Sequence, residues 1–583
     1  MLRRHIYKKK QKEVINIMKR LAVLLLSILL VVSLMAGCAG KKDTAGDTST
    51  GTGTTTTTPS TSGGKTTTTS GDDIVVSEKG VLPIVNKKID ITVFTADNPS
   101  VENFETNKLT LFLEEQTNIH VIWQLVAAKD RDQKLNLMLA SSEKLPDVIM
   151  GGMDNAVLVE YASQGSFIPL NDLIEKHSVY LVQLFAEYDG LENMITAPDG
   201  NIYSLPNITM SIPNSYPRRM WINKVWLDTL GLDMPETTEE FKEVLRAFKY
   251  QDPNGNGKQD EIPMMGATNG WHTTFDRFLM NSFIKYNESF PYNLDNGKVT
   301  AVYDKEEYRE GLRYLKSLVD EGLYDPVSFT QDADQLRQIF ENEEIHIVGC
   351  IPGGMPTANM AGDRYKQLTA VPPLEGPNGV RWANHEPWNY ILYQNVMVIT
   401  KDCQYPDAVF KWGDYQYDTD VSMRARLGEP GVDWVEAAPG TVDLEGNPAL
   451  FRPILLWGPV QNSHWYQRHP SHENFADKGE RSDDPYELQR LLWEATFNCY
   501  KPYTPPMDMY VPDKMLYSAE DSKRMNEINS VLRTYVNECR DKFITGVMDL
   551  DKDWDTYLNE LKKIGYEEYI EIIQRRYEQF LAD

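Results

Sequence analysis

Ile89-Asp90-Ile91-Thr92-Val93, Ile119-His120-Val121-Ile122 and Asp147-Val148-Ile149-Met150 are three short apolar runs within one stretch, and the pattern between them decides the fold. Ile89, Ile91 and Val93 alternate with Asp90 and Thr92, the period of a half-buried strand. Leu109, Phe112 and Leu113 repeat at helical spacing before the second run, and Leu135, Met138 and Leu139 do so before the third. Strand, helix, strand, helix, strand predicts an α/β fold with a mostly parallel sheet. Ligands of such sheets collect beyond the carboxyl ends of the strands, so the polar loops at 95–100 and 151–155 are expected to line a site. Asp97 and Asp154 are its candidate side chains, ordinary βα turns being the alternative.

Working outward toward the N-terminus, Lys8 to Lys10, Lys19 and Arg20 precede an apolar run from Leu21 to Ala36, shorter than the roughly 20 residues a spanning helix needs. Leu34-Met35-Ala36-Gly37-Cys38 closes it and resembles the lipobox of bacterial lipoproteins, with Met35 in place of the usual leucine. The resemblance implies a signal peptide over 1–37 and acylation of Cys38, a palmitate-type membrane anchor. An uncleaved signal anchor is the other reading, and Met18 is a second candidate start. Lys41 to Asp73 is nearly all Thr, Gly, Ser, Lys and Asp, which cannot bury a core and reads as a solvated stalk.

The remaining 500 or so residues are enough for two or three domains. With 59 basic against 85 acidic side chains, a formal charge of -26, the balance argues against nucleic acid or an anionic membrane surface as the main partner. Cys350, Cys403, Cys499 and Cys539 are too scattered for a disulfide framework.

Asp252-Pro253-Asn254-Gly255-Asn256-Gly257-Lys258-Gln259-Asp260-Glu261 follows a helix signalled by a Thr237/Glu240 capping box and an apolar face of Phe241, Val244, Leu245 and Phe248. Oxygen donors at Asp252, Asn254 and Asn256, glycine at the turn and the Lys258 carbonyl have the alternate spacing of a calcium loop, which Asp260 and Glu261 can complete. Pro263 stands where an EF-hand has its bidentate Glu, so the loop is a shortened relative, and Ca2+ is the expected cofactor.

Tyr203-Ser204-Leu205-Pro206, Trp226-Leu227-Asp228-Thr229-Leu230-Gly231-Leu232 and the run from Lys542-Phe543-Ile544-Thr545-Gly546 through Trp554 and Gly565 to Tyr577 follow in order behind the lipobox. Together they resemble family 1 extracellular solute-binding proteins, the large oligosaccharide-binding lipoproteins of bacterial ABC importers. The resemblance implies a two-lobe periplasmic-binding-protein-like (type II) fold, with hinge-linked lobes around a ligand cleft, no catalysis, and a fixed structural calcium ion away from the sugar. It places one lobe at about 88–205 plus a segment after about 394, the other at about 215–390 plus later segments, and C-terminal helices at 520–583, within a bilobal domain at 88–583 that follows a stalk at 38–87.

Sugars present flat C–H faces to aromatic rings and hydroxyls to polar groups, so aromatic clusters among turn and polar residues are the candidate ligand contacts. Trp271, His272 and Asp276 form one; Trp382, Glu386 and Trp388 a second; Trp457 and Trp465 a third; Arg218 could pair with an acidic sugar. Trp226, Trp412, Trp493 and Trp554 lie on helical patterns and read as packing. His385-Glu386-Pro387 is no zinc helix, and neither a nucleophile elbow nor paired ligand cysteines occur. The expected function is capture of an oligosaccharide by a monomer, lipid-anchored at the extracytoplasmic face of the membrane, and its delivery to ABC permease subunits with their cytoplasmic ATPase. A peptide or other small-molecule receptor on the same fold, or a secreted glycosidase, remains the alternative.

Overall fold

The computed structural model describes residues 73–342, 346–360, 362–454, 460–466 and 468–582, so the leader, Cys38 and most of the stalk lie outside the described residues. β1 (Ile89–Ala96) runs parallel to β2 (Ile119–Val126), with Ile89 opposite Ile119, and parallel to β3 (Val148–Met150) on its other side. The helix Lys108–Thr117 between them starts where the Asn107 side chain accepts from Leu109 N, and it buries Leu109 and Leu113 against the sheet. After β4 (Ser204–Thr209) the chain leaves for a second sheet made of β5 (Met220–Asn223) and β6 (Ile262–Met264). A hairpin of β7 (Tyr292–Asp295) and β8 (Lys298–Ala301) follows, then β9 (Val348–Pro352) and β10 (Leu368–Val371) complete that sheet. The chain returns as β11 (Ile391–Ile399), forms a short pair from β12 (Trp434–Glu436) and β13 (Phe451–Pro453), and adds β14 (Ser471–Glu473) to the first sheet.

The first sheet has the order β14-β4-β11-β3-β1-β2 and the second β10-β5-β9-β6. β11 is antiparallel to both β3 and β4, so the sheet is mixed rather than uniformly parallel. The reason is its route: β11 comes back from the second lobe and enters from the opposite end, not through a helical crossover.

Each sheet has its own core. Trp412 and Phe410 are fully buried behind the first, and Trp221, Trp226, Phe241 and Phe248 behind the second. The capping box forms as expected, with the Thr237 side chain on Glu240 N and the Glu240 carboxylate reaching back to Thr237 N. The C-terminal helices Ala519–Ile544, Trp554–Ile564 and Tyr566–Ala582 give Leu532, Phe543, Trp554 and Ile573 to the second core, while Phe580 touches both. Trp493 is half-buried and stacks on Phe497 at 4.0 Å. All four cysteines of the folded part are free.

One long-range ion pair locks the C-terminal helices to the second lobe. Asp276, 1% exposed, accepts from Arg540 Nη1 at 3.0 Å and from the Tyr286 hydroxyl at 3.2 Å. It is therefore a core carboxylate, not the ligand contact that its place beside Trp271 suggested. Breaking a buried pair leaves an uncompensated charge, so Arg540→Met is expected to lower the unfolding free energy by about 3–5 kcal/mol, seen as a lower urea midpoint. Adding Asp276→Asn should recover much of that loss.

Candidate functional site

A cleft of about 460 Å³ is lined by residues of both lobes and of the C-terminal helices. The first lobe lines it with 152–156, where β3 runs into the helix Asn155–Ser163, and with Leu392 to Asn395 of β11. The second contributes Phe290 and Tyr292, and the C-terminal helices Asn526, Asn529 and Tyr569. Gly151 and Gly152 make the tight exit from β3 with φ of +101° and +94°, and a Cβ on Gly151 would come within 2.9 Å of Thr95 Oγ1. Asp154 caps the following helix by accepting from Ala156 N, and it is exposed in the cleft.

Two amides interrupt the apolar run of β11 and hold the cleft wall. Gln394 Nε2 donates to the Met194 and Lys514 carbonyls at 2.6 and 2.7 Å, and Gln394 Oε1 accepts from Asn155. Asn395 Nδ2 donates to Asn155 Oδ1 at 2.6 Å, while its oxygen accepts from Ser204. Buried amides need such partners, and here they tie β4, β11, the helix after β3 and the segment after Pro512 together.

At one end the cleft meets a network centred on Arg218. Its Nε donates to Glu288 at 2.8 Å, and its terminal nitrogens reach Glu386, Asn384 and Asn287. Burial alone would raise the Glu288 carboxyl, but Arg218 and Arg277 outweigh it and hold it at about 2. Burial and the Arg218 charge pull the His272 imidazole down to about 3, so its neutral Nδ1 accepts from Arg277. Arg218 itself is 3% exposed and already doubly paired, so it positions Glu386 and does not await an acidic ligand.

The other expected contacts divide. Glu386 and Trp388 line a narrow recess off the cleft, with Trp388 edge-on to Tyr510. Asp97 lines a further cavity of about 200 Å³ at the end of β1, with Arg468, which lies over the Tyr393 ring and so adjoins the main cleft. Trp465 also borders that cavity but is 4% exposed, its indole N–H bonded to Thr110 Oγ1 at 2.7 Å and its ring against Trp123, which makes it core. Trp271 is 41% exposed and lies flat on Gly354, where a Cβ would come within 2.3 Å of the ring. Trp382 is half-buried, its backbone N–H donating to the Asn281 carbonyl, and Trp457 lies outside the described residues.

The loop expected to hold calcium sits between the helix Thr238–Tyr250 and β6, and none of its residues lines these cavities. Asp252 accepts from Asn256 N and Gly257 N, and Asp260 accepts from the Asn254 and Asn256 amides. Lys258 N donates to Asn256 Oδ1. Both Glu261 oxygens are buried without a donor, and burial with the Asp252 and Asp260 charges pushes that carboxyl up. Among the described residues no three His, Cys, Asp or Glu side chains gather into a metal cluster. The donor set nonetheless fits a hard cation: orphaned carboxylate oxygens face other carboxylates, and the two amides present oxygen when turned over.

The model of the bacterial extracellular solute-binding proteins matches residues 95–423, more than half of the chain. The chain belongs to that family. Among these solute-binding proteins it is similar to the fructooligosaccharide ABC transporter substrate-binding protein FusA of Streptococcus pneumoniae, 28% identical over 524 residues, 87% of this chain and 93% of FusA. The solved structure of FusA in complex with kestose superposes with a TM-score of 0.69 at 26% identity, over 85% of this chain and all of that one. A FusA EF-hand mutant in complex with fructo-nystose gives 0.66 over the same 85% of this chain and 100% of its own, at 26% identity. The polygalacturonan/rhamnogalacturonan-binding protein YtcQ of Bacillus subtilis is 25% identical over 285 residues, 48% of this chain and 53% of YtcQ.

Sequence reading missed Gln394, Asn395, Tyr510 and Asp513; the paired amides inside an apolar strand were the one visible signal. Arg218→Met is expected to cost about 3–5 kcal/mol at pH 7. A carboxyl held low in the fold stabilises above its unfolded pKa, near 4.5, and loses that contribution as pH falls toward 2. Urea melts of wild type and variant should therefore converge between pH 4.5 and 2.

Proposed function

We propose that this chain is the substrate-binding lipoprotein of an ABC importer, which captures an oligosaccharide and delivers it to the membrane permease. The carrying observation is the cleft, where Phe290, Tyr292 and Tyr393 stand beside Asp154, Asn526 and Asn529 and both lobes contribute. Rings accept the C–H faces of sugars, and polar side chains accept or donate to the hydroxyls. The likeness to FusA over nearly the whole chain supports the same ligand class.

Capture and delivery of a ligand need no bond to be made or broken by this chain, so it acts as a binding protein and not as an enzyme. A ligand touching both lobes binds the closed arrangement better than the open one and shifts the population toward it. The permease then distinguishes loaded from empty protein by the surface that closure creates. The lobe near the N-terminus runs from about 88 to 205 with the return strands after about 394, and the other occupies about 215–390 with later segments. The protein works as a monomer, held at the extracytoplasmic face by acyl chains on Cys38, while the stalk supplies reach.

Asp252, Asn254, Asn256, the Lys258 carbonyl, Asp260 and Glu261 hold Ca2+ as a structural ion. Its charge neutralises Glu261, which burial otherwise disfavours as an anion. EDTA is expected to lower the melting temperature, and Glu261→Gln should abolish that calcium dependence. Without calcium the variant should melt no lower than wild type, because the buried charge is gone. A calorimetric melt with and without the chelator reads both.

For the ligand, kestose at a hundredfold its Kd should add about 2.7 kcal/mol and raise the melting temperature by a few degrees. Silence with kestose and with every other member of an oligosaccharide panel would overturn the reading.

A further inference from the structure

The recess off the cleft is small and unusually rich in unsatisfied polar atoms. Its volume is about 30 Å³, room for about two water-sized groups. It opens toward the cleft through Phe290, Tyr292 and Asp513, which line both. Three of its lining residues hold a buried atom without a hydrogen-bond partner: Asp513 Oδ1, the Tyr510 hydroxyl and His385 Nδ1. Buried polar atoms left open in this way have a partner in the working state of a protein. The occupant must be polar, slender and able both to donate and to accept.

We infer that this recess takes the hydroxymethyl group of a neutral hexose unit and so selects neutral oligosaccharides against those whose hydroxymethyl is replaced by a carboxylate. The inference rests on the oligosaccharide reading above. A –CH2OH group matches the size of the recess, its hydroxyl donating to Asp513 Oδ1 and accepting from Tyr510. Trp388 and Phe290 at the rim give the attached ring an apolar face. A uronate would set its carboxylate against Asp513, with no proton to donate.

Lys285 also lines the recess and is the cation that could rescue a uronate. Its hydrogen bond is spent elsewhere, Nζ donating to Asn293 Oδ1 at 3.1 Å and lying 4.0 Å from the Tyr510 ring centre, although its charge still reaches Asp513. Burial lowers it to about 7, so it is only partly charged at neutral pH. Burial holds Asp513 up at about 6, which leaves it mostly ionised at pH 7 and a strong acceptor there. Glu386, the other carboxylate on this wall, is occupied by Arg218 and Asn287.

The test is isothermal titration of the whole chain with kestose, maltotriose, cellotriose and galactotriose, each paired with its counterpart oxidised at the primary hydroxyls to carboxylates. The expected result is that any neutral trisaccharide that binds does so at least about tenfold more tightly than its oxidised form. Asp513→Asn should weaken the neutral ligand about tenfold or more and narrow its advantage over the oxidised one. Tyr510→Phe, which removes one hydroxyl with little change of shape, should weaken the neutral ligand severalfold, and thermal melts establish that both variants fold. Equal or tighter binding of the oxidised form, or unchanged affinity in both variants, overturns the inference alone and leaves the recess to water. Silence of every member of the panel overturns the oligosaccharide reading and this inference together.

Discussion

The buried positive charge of Arg218 is the constraint on which the cleft floor depends. Burying a guanidinium to 3% exposure is costly, and here Glu288 and Glu386 offset that cost from segments far apart in sequence. That pairing fixes the wall at Asn384 to Trp388 and neutralises Glu386. Burial, reinforced by the Arg218 field, keeps His272 uncharged. Beside that network, Asp513, Tyr510 and His385 each keep one buried polar atom without a partner.

The opposite wall rests on neutral hydrogen bonds. Gln394 and Asn395 place amides where β11 crosses between its two antiparallel neighbours, and their partners lie on β4, on the helix after β3 and on the segment that leads into the long C-terminal helix. One wall is held by charge and the other by amides. Salt acts little on either, since the ions are buried and the amides carry none.

Much of this architecture was legible in the sequence because it is local. The alternation from Ile89 to Met150, the Thr237/Glu240 capping box and the donor spacing from Asp252 to Glu261 all arise within a few residues of chain, where periodicity and capping rules apply. Of the cluster from Trp382 to Trp388, Glu386 and Trp388 line the recess off the cleft. What was not legible is long-range pairing. Asp276 looked like a companion of Trp271, and only the fold brings Arg540 to it. Trp465 looked like a sugar platform, but its indole packs on Trp123. Asp513 follows a proline-rich stretch with no periodic signal, so nothing in its neighbourhood marks it as part of a cavity.

The return path of the chain has a consequence for how the molecule is built. Among the described residues β4 pairs only with β11 and β14, so neither of its edges is covered until the polypeptide has passed through the entire second lobe and beyond. The second sheet, by contrast, closes within one continuous span from Met220 to Val371. Pairing order is thereby biased: the second sheet can form within its own span, while the first waits with exposed backbone edges, and the core of the second lobe is completed only by the C-terminal helices. Contacts of such sequence separation are slow to form and open to mispairing, and both lobes depend on them, the first for its sheet and the second for its C-terminal helices.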